Sequence, residues 1–116
     1  QQLLKDVQDD INNLKNAKNQ KERLKQKDNL AGSIMQIKAN GGMFGYQLMG
    51  EIAALALHFL DHITDVNDDA MNVIDVHEKS MQLILINNLK GDGGQEGYAL
   101  VKELEKACAR YNKKYP

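Results

Sequence analysis

The sequence predicts an all-α fold, an antiparallel up-down four-helix bundle with one additional helix. Three observations carry this. The chain has a single proline, at the last of its 116 positions. Leu, Lys, Glu, Gln and Ala, all good helix formers, are abundant. Apolar residues recur at three- and four-residue steps, with few of the alternations expected of strands.

The first helix is expected over about residues 2–26. Leu4, Val7, Ile11 and Leu14 sit at helical spacing, but Lys18, Lys21 and Lys25 occupy the positions that would continue the stripe. Asp28 is the expected N-cap of a second helix, whose Leu30, Ile34 and Ile37 share one face before Gly41 and Gly42 end it. A third helix, about residues 46–63, has the clearest stripe: Leu48, Ile52, Leu55, Ala56, Phe59 and Ile63.

Asn67 or Asp68 can cap a fourth helix reaching about Lys90, with Ala70, Val73, Ile74, Met81, Ile84 and Leu85 inward. The run Gly91-Asp92-Gly93-Gly94 then breaks it. The fifth helix, about residues 95–113, places Leu100, Val101, Leu104, Ala107, Cys108 and Tyr111 on one side. Short connections between long helices favour antiparallel neighbours.

Length fits a single domain spanning residues 1–116, with the first helix, in residues 1–27, a candidate continuation of an upstream domain. A start at Gln1 is read as a fragment or a trimmed product. A net charge of −1 gives no overall pull toward nucleic acid or an acidic membrane, and no apolar run approaches the length of a membrane span. The charges are segregated, however. Lys15, Lys18, Lys21, Arg23, Lys25 and Lys27 form a basic run, whereas Asp61, Asp65, Asp68, Asp69 and Asp75 form an acidic stretch. No aromatic residue interleaves the basic run, so it offers no stacking platform for single-stranded nucleic acid. With Cys108 as the only cysteine there is no intramolecular disulfide, and a reduced, cytoplasmic setting is expected.

On the second helix, at about 100° per residue, Met35 falls well outside the apolar centre formed by Leu30, Ile34 and Ile37. Lys38, Ala39 and Gly42 follow at three, four and seven residues, with Ala31 close by. The expectation is an outward strip holding one large flexible apolar side chain, one cation and small residues, which suits a docking patch.

The stretch Ile34-Met35-Gln36-Ile37-Lys38-Ala39-Asn40-Gly41-Gly42-Met43-Phe44-Gly45-Tyr46 resembles the segment of histidine phosphotransfer (HPt) domains, particularly those of chemotaxis-type kinases, that carries the phosphorylatable histidine. In that resemblance Lys38 matches the family lysine, and Gly42, Phe44 and Gly45 match the turn, with Gly41 beside them and Tyr46 an acceptable aromatic at its end. Met35 stands where the histidine would, and Ala39 where a glycine usually follows the lysine. The likeness is densest over residues 31–63.

What the resemblance implies is a surface meeting a response-regulator receiver domain, or a histidine-kinase signalling component, through Ala31, Met35, Lys38, Ala39 and Gly42. A thioether has no nitrogen to receive a phosphoryl group, so the expected role is a non-catalytic interaction module in two-component signalling, without cofactor or metal. Two alternatives stand beside it. One is phosphotransfer through another histidine, His58 or His62; the other is a structural bundle that self-associates through its first helix.

His58 and His62 are spaced i, i+4 near Asp61 and Asp65, a spacing able to present two imidazoles to one metal, but no further ligand cluster is evident and exposed histidines are expected. His77 falls at the buried stripe, where a hydrogen-bonded core histidine is expected. Cys108 is expected to be a small apolar residue on an inner face.

Overall fold

The computed structural model describes residues 2–40 and 45–116. Five helices are present among them: α1 (Gln2–Lys15), α2 (Gln20–Asn40), α3 (Gln47–His62), α4 (Asp68–Ile86) and α5 (Gly94–Lys114). No strand occurs among the described residues. Consecutive helices pack side by side, and α1 also packs on α4, closing a four-helix ring; α5 lies against α3 and α4 as the additional helix.

The apolar stripes explain the ring. Leu4, Val7, Ile11 and Leu14 of α1, Leu30, Ile34 and Ile37 of α2, Leu48, Ile52, Ala56 and Phe59 of α3, and Ala70, Val73, Ile74, Met81 and Ile84 of α4 are all buried in one cluster. Helix α5 adds Leu104 and Tyr111. Leu85, Leu100, Val101 and Cys108 pack at its margin, only partly buried. The stripe of α1 is used inside the bundle, against α2 and α4.

The expected single helix over residues 2–26 is instead two helices. It stops at Lys15, and α2 starts at Gln20, eight residues before the expected cap. Asp28 lies inside α2 and caps nothing. The true N-cap is Asn19, whose side-chain oxygen accepts from the Glu22 amide at 2.9 Å, while the Glu22 carboxylate accepts from the Lys18 amide at 2.9 Å. This reciprocal arrangement satisfies two donors that the start of a helix would otherwise leave open. Beyond the break, the lysines that fail to continue the stripe of α1 belong to a different helix with a different face.

Helix α4 ends at Ile86 rather than Lys90. Asn88 takes a left-handed conformation with φ of 51°, which asparagine tolerates better than most residues and which terminates the helix before the glycines. Its start is as expected: Asn67 accepts from the Ala70 amide at 2.8 Å.

The basic run and the acidic stretch meet. Lys15 pairs with Asp75 at 3.1 Å and Arg23 with Asp65 at 3.9 Å, while Lys27 donates to the carbonyls of Leu60 and Ile63, both at 3.2 Å. The last contacts supply a cation and two hydrogen bonds where α3 ends in unpaired carbonyls.

Candidate functional surface

Met35 is 50% exposed, on a helix whose buried residues are Leu30, Ile34 and Ile37. Lys38 and Ala39 are exposed and Ala31 is half-buried, so these four share the outward strip of α2 that their spacing predicts. Among the described residues the Lys38 ammonium has no hydrogen bond or ion pair. Gly41, Gly42 and Phe44, assigned above to the turn and in part to the strip, lie outside the described residues.

One further contributor follows from the burial pattern. Leu24 stands seven residues before Ala31, on the same side of α2, and is exposed. Its place inside a lysine-rich run conceals it from a search for apolar stripes. A Cβ at Gly50 of α3 would stand 3.6 Å from the Lys38 carbonyl oxygen, an ordinary contact distance, so α3 passes beside Lys38. On the opposite flank Ser33 donates to Asp10 of α1, and Gly32 has open space around it.

The connection after α2 is held from across the bundle. Gly91 donates its amide to the Gly45 carbonyl at 2.7 Å and accepts from the Leu48 amide at 2.8 Å. Tyr46 provides no side-chain cap for α3, so the Gly91 carbonyl takes over one of the helix's open donors. The Tyr46 hydroxyl donates to Asn88 at 2.8 Å, and the Lys90 ammonium lies 4.1 Å from the Tyr46 ring centre. Two distant connections are thus tied into one unit at the end of the bundle that carries Lys38.

His58 and His62 are exposed on α3, as expected. His77 is 2% exposed, as its place in the stripe predicts; its Nδ1 lies 2.8 Å from the Val73 carbonyl, and Phe59 stacks nearby at 6.3 Å. What sequence spacing could not show is the partner on its other side. His77 Nε2 is 3.9 Å from Cys108 Sγ. Burial lowers the His77 pKa below 6.5 despite the Val73 carbonyl, and burial, aided by the charge of Glu105, pushes the Cys108 thiol up. Both shifts favour neutral partners, the reverse of the activated thiolate and imidazolium of a cysteine nucleophile.

A cleft of about 250 Å³ between α4 and α5 is lined by Asp69, Val76, Arg110, Tyr111, Lys114 and Tyr115. Its acid is committed: Lys114 at 2.8 Å and the Tyr115 hydroxyl at 2.6 Å both donate to Asp69, and these bonds hold its carboxyl below the ordinary value. No helix among the described residues is long and apolar enough to cross a membrane. No protein-family model, curated protein or solved structure matches the chain.

Proposed function

We propose that the chain is an HPt-like bundle that docks a receiver domain, or a related component of two-component signalling, without accepting phosphate. The observation that carries this is the half-exposed Met35 on the second helix of the bundle, flanked by small residues and by Lys38, whose ammonium has no partner among the described residues. Methionine retains apolar contact and adapts its shape to a partner, while its sulfur supplies no imidazole nitrogen for phosphoryl transfer. The role is therefore sequestration, inhibition or scaffolding. Leu24 extends the same surface as an additional apolar contact.

A patch of this size supports moderate affinity, because area alone does not set binding strength. The test is a panel of purified receiver domains titrated against the chain and its Met35→Asp variant. Saturable binding to at least one receiver, lost on Met35→Asp with the helical content unchanged, is expected. No binding anywhere, or binding indifferent to Met35→Asp, overturns the reading. Transfer of an acid-labile phosphoryl group from a phosphorylated receiver to His58 or His62 would replace it with the phosphotransfer alternative.

A further inference from the structure

The outward face of α3 carries two histidines one helical turn apart. His58 and His62 are both exposed, and their ring centroids lie 4.3 Å from one another with planes inclined at 48°. Residues four apart on a helix have Cβ atoms about 5–6 Å apart, a separation from which two imidazoles reach one ion with bonds of about 2.0–2.1 Å.

The protonation pattern favours the same end. His62 Nδ1 lies 2.9 Å from the His58 backbone carbonyl oxygen. A carbonyl only accepts, so in the neutral ring this nitrogen carries the proton and Nε2 keeps the lone pair. A hydrogen bond from the second ring nitrogen to a backbone carbonyl is also the arrangement that orients a metal-binding histidine. The His58 ring has no hydrogen-bonding partner among the described residues, so no existing bond must break before it binds. Beneath them, Phe59 and Leu60 are buried and fix this turn of α3.

We propose that His58 and His62 chelate one first-row divalent cation that favours imidazole, Zn²⁺, Ni²⁺ or Cu²⁺, with water completing its coordination. Among the described residues no three metal-ligating side chains converge, so the site has two protein ligands and open positions. Such a site binds reversibly, not as a closed structural centre. Magnesium and calcium require oxygen ligands and are excluded by the donor type. The site is independent of the Met35 surface on α2, and either assignment can stand without the other.

The test is titration of the whole chain with ZnCl₂ and NiCl₂ at neutral pH in a non-coordinating buffer, followed by calorimetry and amide NMR spectra. One ion per chain is expected, with Ni²⁺ broadening centred on the amides around His58 and His62. His58→Ala and His62→Ala should each weaken binding by roughly tenfold or more, and the double variant should abolish it. Alanine favours an exposed helix position, so these variants retain the fold, which circular dichroism verifies. The absence of binding, equal binding of Mg²⁺, or binding that survives the double substitution overturns the proposal.

Discussion

Cys108 Sγ lies 3.9 Å from His77 Nε2, joining α5 to α4 through the one histidine that the bundle buries. With Nδ1 donating to Val73, Nε2 is the acceptor and the thiol the weak donor, a pairing that requires a neutral ring. Glu78 and Asp75 stand one and two residues from His77 on α4, and Glu105 stands three residues before Cys108 on α5. Burial nevertheless dominates the histidine's shift.

Stability should therefore fall on acidification. The folded-state pKa of His77 is depressed below 6.5, so the unfolded chain binds the proton first as pH drops. The contribution is complete above 6.5, declines as pH falls from there toward the folded value, and levels off below it. Denaturant unfolding of the native chain between pH 7.5 and 5 should show this slope, the full loss amounting to about 1.4 kcal/mol for each unit separating the two pKa values. In His77→Gln the slope over that window should shrink; an unchanged slope would assign it to other groups.

The glycines are unequal. A Cβ at Gly97 would lie 2.2 Å from the Asp92 carbonyl oxygen, whereas a Cβ at Gly32 meets nothing within 4 Å. Gly97→Ala should cost about 1–3 kcal/mol by forcing the α4–α5 connection apart. Gly32→Ala, in an exposed helix interior, should stabilise by about 0.5–1 kcal/mol. Urea midpoints at constant slope measure both, and equal effects would contradict the packing described.

Where α2 begins can be tested through its cap. Asn19→Ala should cost about 1 kcal/mol, because the Glu22 amide loses its acceptor. Asp28→Ala, inside the same helix, should change stability by no more than about 0.5 kcal/mol. The opposite order would return the helix start to Asp28.

Installing an imidazole at position 35 probes the proposed relay surface. Met35→His, at a half-exposed site, should fold normally and acquire an acid-labile label from a phosphorylated receiver that the native chain binds. A receiver that binds both forms yet labels neither would show that its aspartyl phosphate docks elsewhere.

Much of this architecture is legible in the sequence because the three later helices carry unbroken apolar stripes bounded by Asn67 and by glycines. Met35 could be placed outside on the same ground, since its angle from Leu30, Ile34 and Ile37 is fixed by helical geometry. The break at residues 16–19 is hidden by a run of Lys, Asn, Ala and Gln containing no glycine or proline. The available signal there was the Asn19–Glu22 spacing, a capping pair outweighed by the continuity of helix-forming residues. The joining of Lys15 to Asp75, of Gly45 to Gly91 and of His77 to Cys108 depends on which helices become neighbours, which local periodicity does not encode.

The packing of α1 on α4 has a kinetic consequence. Gln8 reaches Glu78 across 70 positions of sequence, whereas the contacts between successive helices close much shorter loops. Searching for that distant partner has the larger chain-entropy cost, so the hairpins should assemble before the N-terminal segment seals the barrel of helices. Removing residues 1–15 would leave exposed the oily seam that α1 covers, and the remaining chain should aggregate instead of persisting as a smaller bundle.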